Sequence, residues 1–474
     1  MSQDLRTYLA DLAADSPNEL YQVSGEVDPN LELTGVIAKL EEQNRYPAVL
    51  FRRVKGTEYP VLINVHASYN RLARALGTTV GGMVEEYARR EAQPRPLRWV
   101  DSGPVQEIVW RGDEADVTRL PMLVHNGGDS GAFLAGALTI CQDPDTGRLN
   151  AGIYKAQVLG PRELLTYPDR SHHGYFALRK WHDRGQPMPA VMVIGHHPMV
   201  MMASVSKLAG IGGELEVAGG LLGEDLPVVR AATVDLPVPA YAEMVIEGHI
   251  RLDRTQMGGH FGEWPGYYTP EVQRPFFEVS AITMRRNPIY QDISSAHAEH
   301  RMLGALPRMG SILRRVRDFV PGVKAVNLPL SGAGRAHCYI SMTKHTDGEP
   351  KQAAFVAFAT EYDIRMVIVV DDDVNVFNET EVLWAVATRF DAREDLTVME
   401  NCMGIKHIPV AYDVTHTQHG GMTTKMILDA TRPAPPADFP KRAVVPEEVL
   451  ERIELERYLE PFRIESLEPS AARV

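Results

Sequence analysis

The sequence has few cysteines, no excess of basic charge and no long apolar run, and each absence closes off a class of function. Its three cysteines, Cys141, Cys338 and Cys402, lie far apart in a chain of 474 residues, and no CxxC pair exists. That argues against a thiolate zinc site or a disulfide framework and fits a reducing cytoplasm. Lys and Arg number 49 against 62 Asp and Glu, for a net charge of −13. Such a chain favours solubility and argues against nucleic acid as its main partner. A phosphate-bearing cofactor would need a local cationic pocket. No apolar run approaches membrane-spanning length, and the opening Met1-Ser-Gln-Asp-Leu-Arg lacks the apolar core of a signal peptide. What is present is ordinary for a globular protein: 44% hydrophobic and 23% charged residues, in a length that predicts two or three domains.

Periodicity predicts an α/β opening region. Helices are expected over 4–14, 32–42, 69–76 and 80–90, and strands over 48–52 and 59–65, up to a polar linker at Ala92-Gln-Pro-Arg-Pro96. From 105 to 295 short β-type runs alternate with Gly and Pro turns and few helices are convincing, which predicts a β-barrel or folded sheet. The third region returns to α/β, with a strand at Arg365–Asp373, a helix at Glu379–Arg389 and a last helix beginning at Pro446. The expected division is 1–104, 105–305 and 306–474.

Gly136–Asp143 and Asn150-Ala-Gly-Ile-Tyr-Lys155 read as two strands of a hairpin around the turn Pro144–Gly147. An Asn oxygen suits a hard cation and a Lys ammonium suits a phosphate or carboxylate. A straight strand puts Asn150 and Lys155 on opposite faces, so both serve one pocket only if the strand bulges or ends between them. Gly210-Ile-Gly-Gly-Glu-Leu215 lacks the last glycine of a dinucleotide loop, and His297-Ala-Glu-His300 has the wrong spacing for HExxH. Asp371-Asp-Asp373 reads as a solvated loop or helix cap ahead of a Mg²⁺ site. In Phe261-Gly-Glu-Trp-Pro-Gly-Tyr-Tyr268, a loop closed by Pro-Gly, Glu263 is expected to be partly desolvated, with a raised pKa suited to proton donation.

With these segments in this order, the chain resembles the UbiD-type decarboxylases, which use prenylated FMN. The likeness runs nearly end to end: Asp4-Leu-Arg-Thr-Tyr-Leu9, Glu26–Leu33, Val61-Leu-Ile-Asn64, Asn150–Tyr154, Phe261–Tyr268, Val369–Asn378 and Asp429-Ala-Thr-Arg-Pro433. The resemblance implies an α+β fold, with a central split β-barrel of flavin-reductase type between two α/β regions. It also implies a C-terminal helix at a subunit contact of a homo-oligomer, dimer or hexamer. It implies Mn²⁺ held by Asn150, Glu214 and either His172 or His173, bridging to the cofactor phosphate. Spacing from Asn150 and Trp181 favours His173, with His172 then on the cofactor. A K⁺ would lie by Ala203, Ser204 and Ser206. The cofactor-binding set is then Asn150, Gly152, Ile153, Tyr154, Lys155, His172, His173, Ser204, Ser206 and Glu214. A UbiX-type flavin prenyltransferase would supply the cofactor.

Two of three members of the family's Glu-Arg-Glu network differ. Lys155 stands at the Arg, and Gly258, in Met257-Gly-Gly-His-Phe-Gly-Glu263, stands at the first Glu. Lys cannot make the bidentate contacts of Arg, although losing one acid alongside it keeps the local charge balanced. His260 either replaces the missing polar group or faces solvent. The implied activity is reversible non-oxidative decarboxylation of an aromatic, heteroaromatic or α,β-unsaturated acid. The cofactor would act as electron sink through a covalent substrate adduct, Glu263 as proton donor, and Lys155 on the carboxylate or on Glu263. The alternative is a non-catalytic or assembly subunit that keeps the fold. A third option is a substrate that brings its own polar group to the place vacated at Gly258.

Overall fold

The computed structural model describes residues 3–169, 172–206, 213–268, 271–404, 407–411 and 421–459. Met1–Thr431 make one unit and Arg432–Val474 a second. The first unit opens on α1 (Leu5–Asp15), whose start is fixed by a reciprocal cap: Thr7 N donates to Asp4 Oδ1 and Asp4 N to Thr7 Oγ1, each at 2.9 Å. Leu5, Tyr8, Leu9 and Leu12 fall on one face at helical spacing and are buried. Next come β1 (Leu20–Val27), α2 (Glu32–Glu42), β2 (Ala48–Val54), β3 (Val61–Ile63), α3 (Tyr69–Ala75) and α4 (Met83–Glu91). β1 lies parallel to β2, and β3 antiparallel to it. β1 is an addition to the elements that periodicity predicts.

The middle region carries β4 (Arg98–Trp99), β5 (Ile108–Arg111), β6 (Phe133–Leu134), β7 (Leu138–Gln142), β8 (Leu149–Ile153), β9 (Ala156–Gly160) and β10 (Glu163–Thr166). It continues through α5 (His173–Asp183), β11 (Met188–Ile194), α6 (Pro198–Ala203), α7 (Glu214–Leu222), β12 (Pro227–Arg230), β13 (Pro237–Pro239), β14 (Met244–Met257), β15 (Gln273–Met284) and β16 (Tyr290–Gln291). Nine of these strands form one sheet in the order β6-β9-β10-β15-β14-β11-β7-β8, with β5 also paired to β15. Every pairing in that sheet is antiparallel.

This order forces the sheet to curl. β8 ends the path and β9 stands next to the opposite end, yet only Tyr154 and Lys155 separate them in sequence. Two residues add a reach of roughly 7 Å, so the two ends of the path must come together. Bulges help. The register of β14 against β15 shifts between Glu247 and Gly248 and again between Arg251 and Thr255. At Gly248 a Cβ would lie 2.1 Å from the Glu278 carbonyl oxygen, so the first bulge closes only on glycine.

The remainder of the first unit holds α8 (Ala298–Leu303), α9 (Ala305–Phe319), β17 (Val323–Asn327), β18 (His337–Met342), α10 (Glu349–Thr360), β19 (Met366–Asp371), α11 (Glu379–Arg389), β20 (Leu396–Met403) and β21 (Met422–Ala430). Its sheet runs β17-β18-β19-β21-β20. Asp371 and Asp373, at the end of β19, are tied to a helix side chain. Arg389 reaches back from α11 and pairs with both, at 2.6 and 2.8 Å. The whole is an α+β fold, a curled antiparallel sheet flanked by helical and β regions, as the resemblance implies. No helix among the described residues is long and apolar enough to cross a membrane.

In the second unit the helix expected from Pro446 is a single turn, α12 (Glu447–Leu450), with a separate 3₁₀ turn at Leu455–Arg457. Leu450, Ile453 and Leu455 are exposed there. With no apolar face packed, acids at the start of the helix do not carry it further.

Candidate active site

The seam between β8 and β9 builds the site. β7 and β8 form the expected hairpin with Cys141 opposite Asn150. The strand expected over Asn150–Lys155 stops short: β8 ends at Ile153 and β9 begins at Ala156. The strand ends between Asn150 and Lys155, which is one of the two ways both can serve a single pocket.

On the β8 side, α7 begins at Glu214, and its buried carboxylate reaches back to the strand. Asn150 Nδ2 donates to Glu214 Oε1 (3.2 Å) and Ala151 N to Oε2 (3.0 Å). Burial pushes the Glu214 carboxyl up, while the Ala151 amide, His173 and Asn150 pull against it. His173 opens α5. Between these groups stands Tyr154. Its hydroxyl donates to Asn150 Oδ1 (2.9 Å) and accepts from Gly174 N (3.3 Å). Its ring stacks on His172 at 5.6 Å between centroids. The close fit needs two glycines: a Cβ on Gly152 would meet the Tyr154 ring at 2.8 Å, and one on Gly174 would meet the hydroxyl at 2.6 Å. Ile153 pairs with Leu138 and is half-buried.

Asn150 and Glu214 are therefore in direct contact, and no cluster of three or more His, Cys, Asp or Glu that could hold a metal occurs among the described residues. Ser204 Oγ donates to the Met201 carbonyl (2.7 Å), and Ser206 Oγ donates to Glu91. Gly210, Ile211 and Gly212 of the glycine-rich segment lie outside the described residues.

On the β9 side, the Lys155 ammonium donates to Glu263 Oε1. Glu263 stands in the loop after β14. Its amide donates to the Tyr267 carbonyl (2.9 Å) and its carbonyl accepts from Gly266 N (2.8 Å), a turn that needs the positive φ of Gly266 (88°). Phe261 carries the Lys155 ammonium on its ring face, 4.9 Å from the centroid, and packs on Phe133 at 4.6 Å. The expectation of a raised Glu263 pKa is overturned. Burial is the largest single influence and pushes the carboxyl up, but the Lys155 ammonium, His407 and His300 together outweigh it, and Glu263 is held down to about 2.

That depression links pH to stability. Glu263 is ionised in the fold at pH values where a free glutamate, at 4.5, already takes a proton. Its contribution is complete above the free value and is lost as pH falls from there towards about 2. Lys155→Met removes the main cation and leaves burial, the largest single influence, opposed only by His407 and His300, so the carboxyl of Glu263 should then titrate above its ordinary value. Isotope-edited infrared spectroscopy of the carboxyl stretch reads this directly; a band still ionised at pH 4 in the variant would rule it out.

Around the pair are groups that spacing did not bring together. His300, at the end of the rejected His297-Ala-Glu-His300 segment, is buried beside Phe261, and Ala296 N donates to its Nδ1 (3.2 Å). Burial pushes its pKa well down, so the ring is neutral. Arg335 lies 4.5 Å over the Trp264 ring. His260, the candidate replacement for the missing acid, is half exposed, with Nε2 3.8 Å from Glu271. At the place vacated at Gly258, side chains of the protein stand close: a Cβ there would meet Arg274 Cγ at 2.6 Å and the Tyr167 hydroxyl at 2.7 Å. Nothing in the local sequence of Arg274 signals that position.

Three family models match consecutive stretches of the chain, the N-terminal (13–91), Rift-related (98–297) and C-terminal (301–430) domains of 3-octaprenyl-4-hydroxybenzoate carboxy-lyase, UbiD. A phenolic acid decarboxylase of Streptomyces sp. (strain D7) is 30% identical, over 91% of this chain and 93% of its own. The UbiD-class enzyme HmfF from Pelotomaculum thermopropionicum, solved in complex with FMN, is 37% identical, with a TM-score of 0.89 over 96% of this chain and 100% of that one. An evolved dimeric form of HmfF in complex with prFMN is 36% identical, with a TM-score of 0.85 over 97% and 100%. Fold and sequence thus agree across nearly the whole length, and the chain belongs to the UbiD family of carboxy-lyases.

Proposed function

We propose that this protein is a reversible, non-oxidative decarboxylase of an aromatic, heteroaromatic or α,β-unsaturated carboxylic acid, working with prenylated FMN. The observation that carries the reading is the buried Lys155–Glu263 pair, set two residues from the strand that bears Asn150. The FMN and prFMN bound by the two HmfF structures, and the activity named for the Streptomyces relative, support it.

Bound at the seam, the flavin supplies the electron sink that lets the carboxylate leave as CO₂. The rest falls to side chains of this chain. Asn150, His173 and Glu214 form a mixed oxygen and imidazole donor set that suits Mn²⁺ better than a structural zinc, and a buried carboxylate raised by burial gains from a cation. The resemblance adds K⁺ beside Ala203, Ser204 and Ser206, a homo-oligomer, cytoplasmic location and a UbiX-type prenyltransferase as cofactor supplier.

Glu263 protonates the carbon that loses CO₂. Held at about 2, it stands ionised at neutral pH, so the proton it delivers passes through it from a neighbour. The Lys155 ammonium, hydrogen-bonded to Oε1, is the source at hand. Excluding water from the site when it fills strengthens that transfer, because a dry ion pair gains less from remaining charged.

The test is protein co-expressed with a flavin prenyltransferase, with its absorption spectrum recorded and a panel of aromatic and acrylic acids assayed by CO₂ exchange. Bound flavin with turnover of at least one acid is expected. Neither flavin nor turnover would favour the assembly-subunit reading.

A further inference from the structure

The seam has a spare cation. Lys155, which stands where the family has arginine, is engaged by Glu263, and the acid that would balance a second cation is absent at Gly258. The space of that missing acid is taken by the stem of Arg274, which enters from β15. Gln256 and Arg274 are partners in the β14–β15 ladder, and Gly258 N donates to the Val272 carbonyl (2.9 Å), so the two segments run side by side there. The guanidinium lies 4.5 Å over the ring of Tyr167. Tyr167 is itself fixed to this corner: its amide donates to the Lys155 carbonyl (3.0 Å), and its hydroxyl donates to Gln157 Oε1 (3.0 Å).

The side chain of Arg274 is only 14% exposed, and its nearest acid oxygen, on Asp169, is 3.9 Å away. Its Nε is buried without a hydrogen-bond partner among the described residues. A largely buried guanidinium with an unmet donor is costly unless something completes it. Its charge reaches Glu263. Asp169 is shared with His407, whose Nε2 is 3.8 Å from the other oxygen, so the acid does not neutralise Arg274 alone.

We propose that Arg274 is the carboxylate-binding and specificity-determining residue of this enzyme, presenting its planar donors to the substrate carboxylate in place of the family arginine. The inference rests on the decarboxylase reading above. It divides the labour at the seam. Lys155 keeps Glu263 charged and supplied with a proton, while a guanidinium carried by another strand holds the group that leaves. A fork of N–H donors fits a carboxylate in two places at once, which an ammonium does not. Seated on Tyr167, it also sets the angle at which the acid enters.

The experiment measures binding, not turnover, so it is independent of the decarboxylase reading. Calorimetric Kd values for benzoate and for neutral benzamide would be compared in cofactor-loaded wild type, Arg274→Met and Arg274→Lys. Arg274→Met should weaken benzoate about ten-fold or more and leave benzamide within about two-fold, the loss expected for one charge-assisted contact. Arg274→Lys, which keeps charge without the fork, should fall between. Equal weakening of both ligands, no weakening of benzoate, or a wild type that holds benzoate no tighter than benzamide would overturn the proposal. If Arg274→Met does not fold, Arg274→Lys alone decides on the same benzoate-to-benzamide ratio. A wild type that decarboxylates no acid in the panel yet shows the charge-selective loss would sink the decarboxylase reading and leave this one standing.

Discussion

Glu263→Gln should cut turnover about 10²- to 10⁴-fold, the range for removing a general acid positioned in the transition state. Glutamine keeps the shape of the side chain and can still accept from Lys155, but it cannot pass on a proton. The loss should therefore appear in kcat more than in KM. Solvent deuterium incorporation into the product-side carbon should fall in parallel. Glu263→Asp, which retains the acid and retracts it by one methylene, should lose less. Because the substitution also leaves the Lys155 ammonium buried without its counter-charge, a thermal midpoint must accompany the kinetics. A variant that folds, loads cofactor and still exchanges deuterium at the wild-type rate would show that the proton comes from elsewhere.

Glu299→Leu should remove about 3–6 kcal/mol of stability, a large part of the 5–15 kcal/mol that holds an ordinary domain together. Glu299 is fully buried in α8 and ties three backbone amides: Asn64 N (2.7 Å), His66 N (3.0 Å) and Ser294 N (3.1 Å). The His66 ring lies against the same carboxylate, with Nδ1 at 3.1 Å. Asn64 adopts a left-handed φ of 70° just after β3, and its side chain is in turn fixed to the Pro47 carbonyl (2.8 Å). Leucine would leave the three amides without acceptors in a dry interior and release a strained turn. Soluble yield and the thermal midpoint check this; a midpoint within a degree or two of wild type would show that water or another acceptor replaces the carboxylate. The effect on catalysis should be indirect, since the same short helix carries His300 to the site.

Much of this was legible in the residues, for identifiable reasons. α2 and α11 have the predicted bounds: α2 buries Leu33 and Ile37 on one face after the turn at Asp28–Asn30, and at α11 the Asn378 side chain accepts from Thr380 N (3.2 Å). α7 was hidden because it is buried on nearly every side: Leu215, Val217, Ala218, Leu221 and Leu222 are all in the core, so its sequence has no polar face to give a helical period. α5 and α6 lie among the same Gly- and Pro-punctuated strands, where the sequence offers few convincing helices. Asn150 and Glu214 are hydrogen-bonded to each other, but the charge state of Glu263 could not be foreseen. Its partner Lys155 is distant in sequence, and whether burial or pairing wins depends on a contact that local composition does not encode. The same holds for Arg274. The missing acid at Gly258 is visible in the sequence, while the side chain that fills its space comes from the neighbouring strand.

The two-residue join between β8 and β9 also sets a frame of reading for the whole sheet. Side chains alternate faces along a strand, so one residue added or removed between Ile153 and Ala156 would exchange the inward and outward faces of β9 relative to β8. Ala156, buried against the core, and Gln157, bonded to Tyr167 and Gly259 N, would trade places. Elsewhere on the molecule, loops can lengthen without such a cost. Variation within this corner is therefore restricted to changing one side chain for another at fixed length, as the lysine at 155 itself does.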